Sequence, residues 1–212
     1  DPLPDVLATP VSEQLCDGEA TNIALSTPNG VDVTGAGGYT WTLVGVTNLT
    51  GAAAQAIPVA GPIAQTLDLV DPLLVGQVTY RIVPVSAVGC SGSSIDVTVD
   101  VGPIPQAVAS DQTICSGETT SVGISEANTL AGTTYSWTVS GSSNVSGASA
   151  GSGAVISQVL SATDGLTQGT VDYDITASLN GCSQAVVTTI RVTVDPLPDV
   201  LATPVSEQLC DG

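Results

Sequence analysis

The segment Tyr135-Ser-Trp137-Thr-Val139 decides the fold class, because its side chains alternate between apolar and polar. An alternation with a period of two is typical of a β-strand that buries one face. The same pattern occurs earlier in the chain as Tyr39-Thr-Trp41-Thr-Leu43. Two copies of one strand indicate that the chain repeats a β-rich unit.

Four more landmarks occur twice in the same order, which extends the repeat over most of the chain. The matching pairs are Asp1–Pro4 with Gly102–Pro105, Cys16–Thr21 with Cys115–Thr120, Val78–Ile82 with Val171–Ile175, and Gly89–Ser91 with Gly181–Ser183. In addition, residues 195–212 repeat residues 1–18 without a mismatch. We therefore predict module A (1–101), module B (102–194) and the first strand of a further copy of module A (195–212), as part of a longer tandem array.

Each module contains seven alternating segments that are separated by Gly, Pro, Asn and Asp, and no segment has a helical apolar stripe. The predicted strands are 5–16, 20–26, 38–45, 54–59, 64–70, 76–86 and 93–101 in module A, and 106–115, 119–125, 133–140, 143–148, 153–160, 168–179 and 184–194 in module B. Seven short strands predict an antiparallel, immunoglobulin-like β-sandwich. The short joints at 100–105 and 195–198 carry prolines that restrict the backbone, which favours a rod-like array of sandwiches.

The aromatic residues recur in matching register inside apolar strands. Trp41 and Trp137 fall on the third predicted strand, where an immunoglobulin-like sandwich has its core tryptophan. Tyr80 and Tyr173 fall on the sixth. We predict that all four pack in the cores and are not surface binding residues.

The charge balance excludes several classes of partner. The chain has 20 acidic residues, no His, and only Arg81 and Arg191 as cations, which gives a net charge of −18. Without cations to meet phosphates, nucleic acid is excluded as a partner, and anionic lipid surfaces are disfavoured. No apolar run reaches the ~20 residues that span a bilayer, so we expect no direct membrane insertion in this segment. The acidity is expected to keep a long array soluble.

The residue types that most enzymes need are missing, so we predict no catalytic residues and no cofactor. Without His, no Ser-His-Asp or Cys-His arrangement is available. The carboxylates of Asp172 and Asp174 share a strand face and resemble a glycosidase pair, but a solvated strand face is the simpler interpretation. Asp100, Asp195 and Asp199 lie near the joints and are candidate Ca²⁺ ligands, because carboxylates are hard oxygen donors. No calcium-loop pattern accompanies them.

Four motifs together resemble a known family. They are Ile114–Glu118, Tyr135–Trp137, Tyr173–Ile175 and Gly181–Ser183, each with a counterpart in module A. In this order they resemble the PKD-like, immunoglobulin-like repeats of giant Bacteroidetes cell-surface adhesins. The resemblance implies type IX secretion, an outer-surface location and a structural or adhesive role with neighbouring repeats as partners. An array that binds polysaccharide is the alternative.

The cysteines predict disulfides in an oxidising, extracellular compartment. Cys16 and Cys115 lie at the turn between the first two strands, Cys90 and Cys182 lie at the hairpin before the last strand, and Cys210 copies Cys16. The family resemblance suggests the pairs Cys16–Cys90 and Cys115–Cys182, within modules. However, the two turns lie at opposite ends of a sandwich about 20 Å long, whereas bonded cysteines need Cα atoms within about 7 Å. Pairing between modules, Cys16 with Cys182 and Cys115 with a following module, therefore stays open beside it.

Overall fold

The structure is a computed structural model that describes residues 2–198, and every regular element in that range is a β-strand. The chain divides into two compact units. Of the described residues, the first unit comprises 2–107, 126–134 and 176–186, and the second comprises 108–125, 135–175 and 187–198. Within the described range there is no helix of the length and hydrophobicity that crossing a membrane requires.

The strands of the first half of the chain are mostly short, apart from three long ones. They are β1 (Leu7–Thr9), β2 (Ser12–Cys16), β3 (Ala24–Ser26), β4 (Gly38–Thr47), β5 (Leu49–Thr50), β6 (Gln55–Val59), β7 (Asp68–Leu69), β8 (Gly76–Val85) and β9 (Ile95–Gly102).

The second half repeats this succession of short and long strands. They are β10 (Ala107–Val108), β11 (Gln112–Cys115), β12 (Val122–Gly123), β13 (Ser125–Glu126), β14 (Thr134–Ser143), β15 (Val145–Ser146), β16 (Gly151–Ser152), β17 (Val155–Ile156), β18 (Ser161–Ala162), β19 (Gly169–Leu179), β20 (Cys182–Ser183) and β21 (Thr188–Asp195).

The first large sheet has the order β2-β9-β8-β4-β6. All its neighbours are antiparallel except β2, which pairs in parallel with β9 so that Cys16 lies opposite Gly102. A parallel pair is possible because most of the module separates these two strands in sequence. Further residues of the same core lie on the short pairs β1–β3 and β5–β7 and on the bridge Ile23–Ile63.

The second large sheet repeats this order as β11-β21-β19-β14-β16, again with a parallel first strand. Cys115 lies opposite Asp195 in that pairing. In β19 every second residue is buried along its whole length. The period-two alternation of the sequence is therefore the pattern that buries one face of the sheet, and the predicted immunoglobulin-like sandwich fold is confirmed.

The central strands supply the largest core side chains. Tyr80 and Tyr173 are fully buried, and Trp41 and Trp137 are each 6% exposed. In the first unit Trp41 and Tyr80 belong to one cluster with buried aliphatic residues from the short strands. The sheet and the short pairs therefore enclose one core.

The predicted strand 5–16 was wrong as one continuous element, because it is divided into β1 and β2 around Pro10. Proline has no N–H to donate to a strand ladder, so the pairing partner changes at this point: β1 pairs with β3, and β2 pairs with β9. The predicted strand 106–115 is likewise divided into β10 and β11.

Candidate functional site at the cysteine corners

Each large sheet has one cysteine in a tight turn that we call the cysteine corner, residues 16–19 and 115–118. In the first corner the N–H of Cys16 donates to Glu19 Oε2 (2.8 Å), and the N–H of Glu19 donates back to the carbonyl of Cys16 (3.0 Å). Gly18 has a φ of +80° and donates its N–H to the carbonyl of Leu67 (3.0 Å). A positive φ favours glycine, so the motif Cys-x-Gly-Glu builds the turn by itself.

The second corner has the same construction. The N–H of Cys115 donates to Glu118 Oε2 (2.9 Å), and the N–H of Glu118 donates to the carbonyl of Cys115 (3.1 Å). Gly117 has a φ of +89° and donates to the carbonyl of Leu160 (2.8 Å). Cys16 and Cys115 are therefore held by equivalent backbone frames.

Cys90 and Cys182 lie in hairpins that also match, which we call the cysteine hairpins, residues 84–92 and 177–184. The N–H of Gly92 donates to the carbonyl of Pro84 (2.9 Å), as that of Gln184 donates to the carbonyl of Ala177 (3.1 Å). The glycine before the cysteine has a positive φ in both, +89° at Gly89 and +91° at Gly181. The hairpin of module A is one residue longer.

The structure joins Cys16 of the first corner to Cys182 of the second hairpin in a disulfide, with 5.4 Å between the Cα atoms. Both cysteines belong to the first unit. Gly102 adjoins the bond, since a Cβ atom on it would lie 3.3 Å from Cys182 Sγ. Beside it, Gln14 Nε2 donates to the carbonyl of Asn180 (3.2 Å). The bond links positions that are 166 residues apart in sequence.

The alternative pairing, Cys16–Cys90 with Cys115–Cys182, is not the one in the structure. Cys16 lies opposite Gly102 at the end of β9, whereas Cys90 precedes Ile95 at its start. The length of β9 puts about 23 Å between those ends, far more than a disulfide spans. Cys182 is already bonded, so Cys90 and Cys115 are exposed free thiols. Cys210 lies outside the described residues.

A partly buried polar network lies in the first unit, and the sequence interpretation missed it. The hydroxyl of Tyr80 donates to Gln65 Oε1 (2.9 Å), and Gln65 Nε2 donates to the carbonyl of Ala53 (2.8 Å). The indole N–H of Trp41 donates to the same carbonyl (3.0 Å). Thr21 Oγ1 accepts from the N–H of Gln65 (2.9 Å), which ties the network to the corner strand.

The second unit contains the same network. The hydroxyl of Tyr173 donates to Gln158 Oε1 (2.7 Å), Gln158 Nε2 donates to the carbonyl of Ser149 (2.7 Å), and Trp137 donates to that carbonyl (3.2 Å). Thr120 Oγ1 accepts from the N–H of Gln158 (2.9 Å). The signal was present as the pattern Ile-x-Gln-x-Leu, which occurs at 63–67 and 156–160.

Both cations of the chain are engaged in cross-strand ion pairs. Arg81 contacts Asp96 through two hydrogen bonds (2.8 and 2.7 Å), and Arg191 contacts Asp172 in the same way (2.7 and 2.9 Å). These hydrogen bonds lower the pKa of Asp96 and of Asp172. Asp174 instead accepts from Thr189 Oγ1 (2.7 Å). The supposed glycosidase pair thus consists of two carboxylates with separate strand partners.

Two of the three calcium candidates accept hydrogen bonds from glutamine side chains. Asp100 accepts from Gln77 Nε2 and Asp195 accepts from Gln168 Nε2, each at 2.7 Å. Asp199 lies outside the described residues. Among residues 2–198, no three side chains of the Asp, Glu, Cys or His type form a group that would hold a metal ion.

Comparison with known sequences identifies one family. The signature of the PKD-like domain matches the chain twice, at residues 13–105 and 112–198. No curated protein is similar enough in sequence to count as a relative of this chain.

Solved structures with a related fold are distant in sequence. The fibronectin(III)-like modules of Clostridium thermocellum CbhA are 13% identical, with a TM-score of 0.45 over 94% of this chain and 100% of theirs. The D00–D0 domains of intimin are 12% identical, with a TM-score of 0.35 over 91% and 99%. Drosophila N-cadherin EC1–3 is 12% identical, with a TM-score of 0.29 over 93% and 68%. At these values no argument about function rests on the likeness.

Proposed function

Because the chain belongs to the PKD-like domain family, we propose that it is a structural and adhesive repeat segment of a long bacterial cell-surface filament or stalk. Residues 195–212 repeat residues 1–18 without a mismatch, as expected of a tandem array. The observation that carries the proposal is the Cys16–Cys182 disulfide, because it changes how the chain bears tension.

Tension along the backbone enters the disulfide at Cys16 and leaves it at Cys182. The backbone between them is outside the load path, since the covalent bond is the shorter connection. The two cysteines are 166 residues apart, and an extended chain covers up to about 3.3–3.6 Å per residue. The disulfide therefore prevents about 550–600 Å of extension that the chain would reach without it. A stalk with such a bond keeps its length under loads that would otherwise unfold its domains.

The disulfide is typical of an oxidising, extracellular compartment. We further propose that this compartment is the outer surface of a bacterial cell, reached by type IX secretion, and that the filament serves gliding motility. This part rests on the resemblance of the four motifs to the repeats of giant Bacteroidetes adhesins. The net charge of −18 supports it to the extent that like-charged filaments repel one another.

Single-molecule force spectroscopy tests the load path. The chain is held by peptide tags at its two ends, with and without a reductant. We expect short extensions in the oxidised protein and about 550–600 Å of additional length after reduction. The variant Cys16→Ser should give the long extension without reductant. The matched control, Cys90→Ser with Cys115→Ser, should behave as the parent chain. Full extension of the oxidised parent chain would contradict the proposal.

The alternative, a polysaccharide-binding array, lacks the surface that sugar stacking needs. The chain has two Trp, four Tyr and no Phe, all within residues 2–198, and each is buried or half-buried. We therefore keep the structural role as the proposed function and regard an enzymatic role as unsupported by these residues.

A further inference from the structure

Two cysteines of the chain repeat the positions of the bonded pair but have no partner. Cys115 occupies a corner equivalent to that of Cys16, and Cys90 occupies a hairpin equivalent to that of Cys182. One bonded pair and one unbonded pair of the same two kinds therefore occur in a single chain.

The equivalence extends to the backbone that carries each sulfur atom. Both corners have the Glu carboxylate on the cysteine N–H, at 2.8 and 2.9 Å. Both hairpins close with the same N–H to carbonyl bond, at 2.9 and 3.1 Å. Cys16 has this backbone frame and bonds a hairpin cysteine, Cys182. Cys115 has the same frame and is therefore suited to the same kind of bond.

The solvent exposure of the cysteines differs between the bonded and the unbonded pair, as expected if Cys90 and Cys115 each lack a partner. Cys182 is 1% exposed in its bond, whereas Cys90 and Cys115 are both exposed. Neither thiol has a Lys or His available to activate it, because the chain contains none. An exposed, unactivated cysteine that recurs at a bonding position is best explained by a partner cysteine from elsewhere.

We propose that Cys115 and Cys90 are complementary covalent docking sites for further repeats of this kind. Cys115 bonds the cysteine equivalent to Cys90 in another copy, and Cys90 bonds the cysteine equivalent to Cys115. Each bond requires a disulfide oxidant, either a small-molecule disulfide or a disulfide oxidoreductase. One cysteine thiolate attacks that disulfide, forms a mixed disulfide and releases one thiolate of the oxidant. The second cysteine thiolate attacks the protein sulfur of the mixed disulfide and displaces the other thiolate, and the two protons lost by the cysteines are taken up by the two released thiolates.

The surroundings of the two corners differ at two positions. Cys16 has Gly102 opposite and Gln14 nearby, whereas Cys115 has Asp195 opposite and Thr113 at the position of Gln14. The carboxylate of Asp195 accepts from Gln168 Nε2 at 2.7 Å, so a hydrogen bond holds it to the residue that precedes β19. The surface around Cys115 is therefore related to the surface around Cys16 but is not identical to it.

Mixing two variants of the full chain tests the pairing. Both carry Cys210→Ser, which removes the copy of Cys16. One also carries Cys90→Ser and keeps Cys115, and the other carries Cys115→Ser and keeps Cys90. In a glutathione redox buffer we expect the mixed dimer in excess over the proportion that random pairing gives. Mass spectrometry of proteolytic fragments should identify the Cys115–Cys90 link and an intact Cys16–Cys182 bond in both partners.

A control thiol measures unspecific oxidation. In a chain without Cys90, Cys115 and Cys210, the substitution Ser142→Cys places a thiol at an exposed position. This variant should dimerise with either partner in random proportion. The proposal is overturned if Cys115 and Cys90 also pair at random, or if both stay open to alkylation while Cys16–Cys182 is intact.

A longer chain distinguishes the two sources of the partner. Residues 1–194 are followed by a second copy of residues 1–101, with Cys90→Ser in the first copy and Cys16→Ser in the second. A bond from Cys115 to the second copy within one molecule assigns the partner to the same polypeptide. If this bond forms only between molecules, the partner belongs to a second chain. If the bond forms neither within a molecule nor between molecules, the proposal is overturned. The force experiment depends on Cys16–Cys182 alone, so the two proposals fail independently.

Discussion

The substitutions Gln158→Leu and Tyr173→Phe, alone and together, test the buried network of the second unit. Gln158 Oε1 accepts from the hydroxyl of Tyr173 (2.7 Å), and Tyr173 is 0% exposed. Gln158→Leu therefore leaves a buried hydroxyl without its acceptor. It also removes the three hydrogen bonds between Gln158 and Ser149, but Ser149 is exposed, and water replaces those bonds.

The expected loss in the free energy of unfolding of each variant depends on which polar groups the substitution leaves without a hydrogen-bond partner. An unsatisfied buried hydroxyl costs about 1–3 kcal/mol, so we expect Gln158→Leu to lower the free energy of unfolding by about that amount. Tyr173→Phe removes one hydrogen bond, while Gln158 Oε1 keeps the N–H of Ser149 (3.0 Å). We expect a cost of about 0.5–1.5 kcal/mol. In the double variant no hydroxyl is stranded, so its cost should be about 1 kcal/mol or more below the sum of the single costs.

Urea unfolding measures these differences through tryptophan fluorescence. A Trp41→Phe background makes Trp137 the reporter of the second unit. The matched control is Gln65→Leu with Tyr80→Phe in a Trp137→Phe background, where the same network predicts the same coupling. Single costs that add to within about 0.5 kcal/mol would refute the reasoning, because the two side chains would then not depend on one another.

Three further predictions concern alkaline pH, one turn glycine and divalent ions. Burial raises the pKa of Tyr173 to about 12, and burial together with the charge of Glu13 raises that of Tyr80 to about 12. The unfolded value is about 10, so stability should be complete below pH ~10 and fall as the pH rises towards 12. In a Tyr39→Phe, Tyr135→Phe background, unfolding should coincide with the appearance of tyrosinate absorbance, and tyrosinate that forms near pH 10 while this variant is still folded would contradict the prediction. Gly117→Ala should lower the free energy of unfolding by about 1–2 kcal/mol, because Gly117 has a φ of +89° and open space around it. The control is Gly123→Ala, which is also in open space but has no positive φ, and equal costs for the two variants would argue against backbone strain. The thermal midpoint should be the same in EDTA and in Ca²⁺, since the Asp100 carboxylate is already hydrogen-bonded; a higher midpoint in Ca²⁺ that is lost with Asp195→Asn would instead establish a calcium site.

The local pattern of the sequence was sufficient for the long central strands, the repeat and the cysteine corners, but not for the division of 5–16 and 106–115 into two strands each. Alternating side chains predicted the long strands β8 and β19, because a period of two buries one face of any strand regardless of its partner. The motif Cys-x-Gly-Glu contains all the groups that form its turn, so both corners were visible in the sequence.

The polar networks were only partly visible. Thr21 and Thr120 stood in a recognised motif, and Tyr80 and Tyr173 were predicted as core residues. Gln65 and its counterpart were missed, although their pattern repeats, because a polar residue in a strand is normally expected to face water. Their role depends on hydrogen bonds to other strands of the same unit.

The partner of Cys16 was decided only by the tertiary structure. Sequence left two pairings open for Cys16, because the family resemblance suggested Cys90 whereas the length of a sandwich argued for Cys182. The parallel register of β2 on β9 separates Cys16 from Cys90 by the length of a strand. The same fold brings Cys182 to within 5.4 Å of Cys16, Cα to Cα, across 166 residues of chain. Local side-chain patterns specify strands and turns because the interacting groups are neighbours in sequence, whereas a bond between distant residues depends on how the whole chain folds.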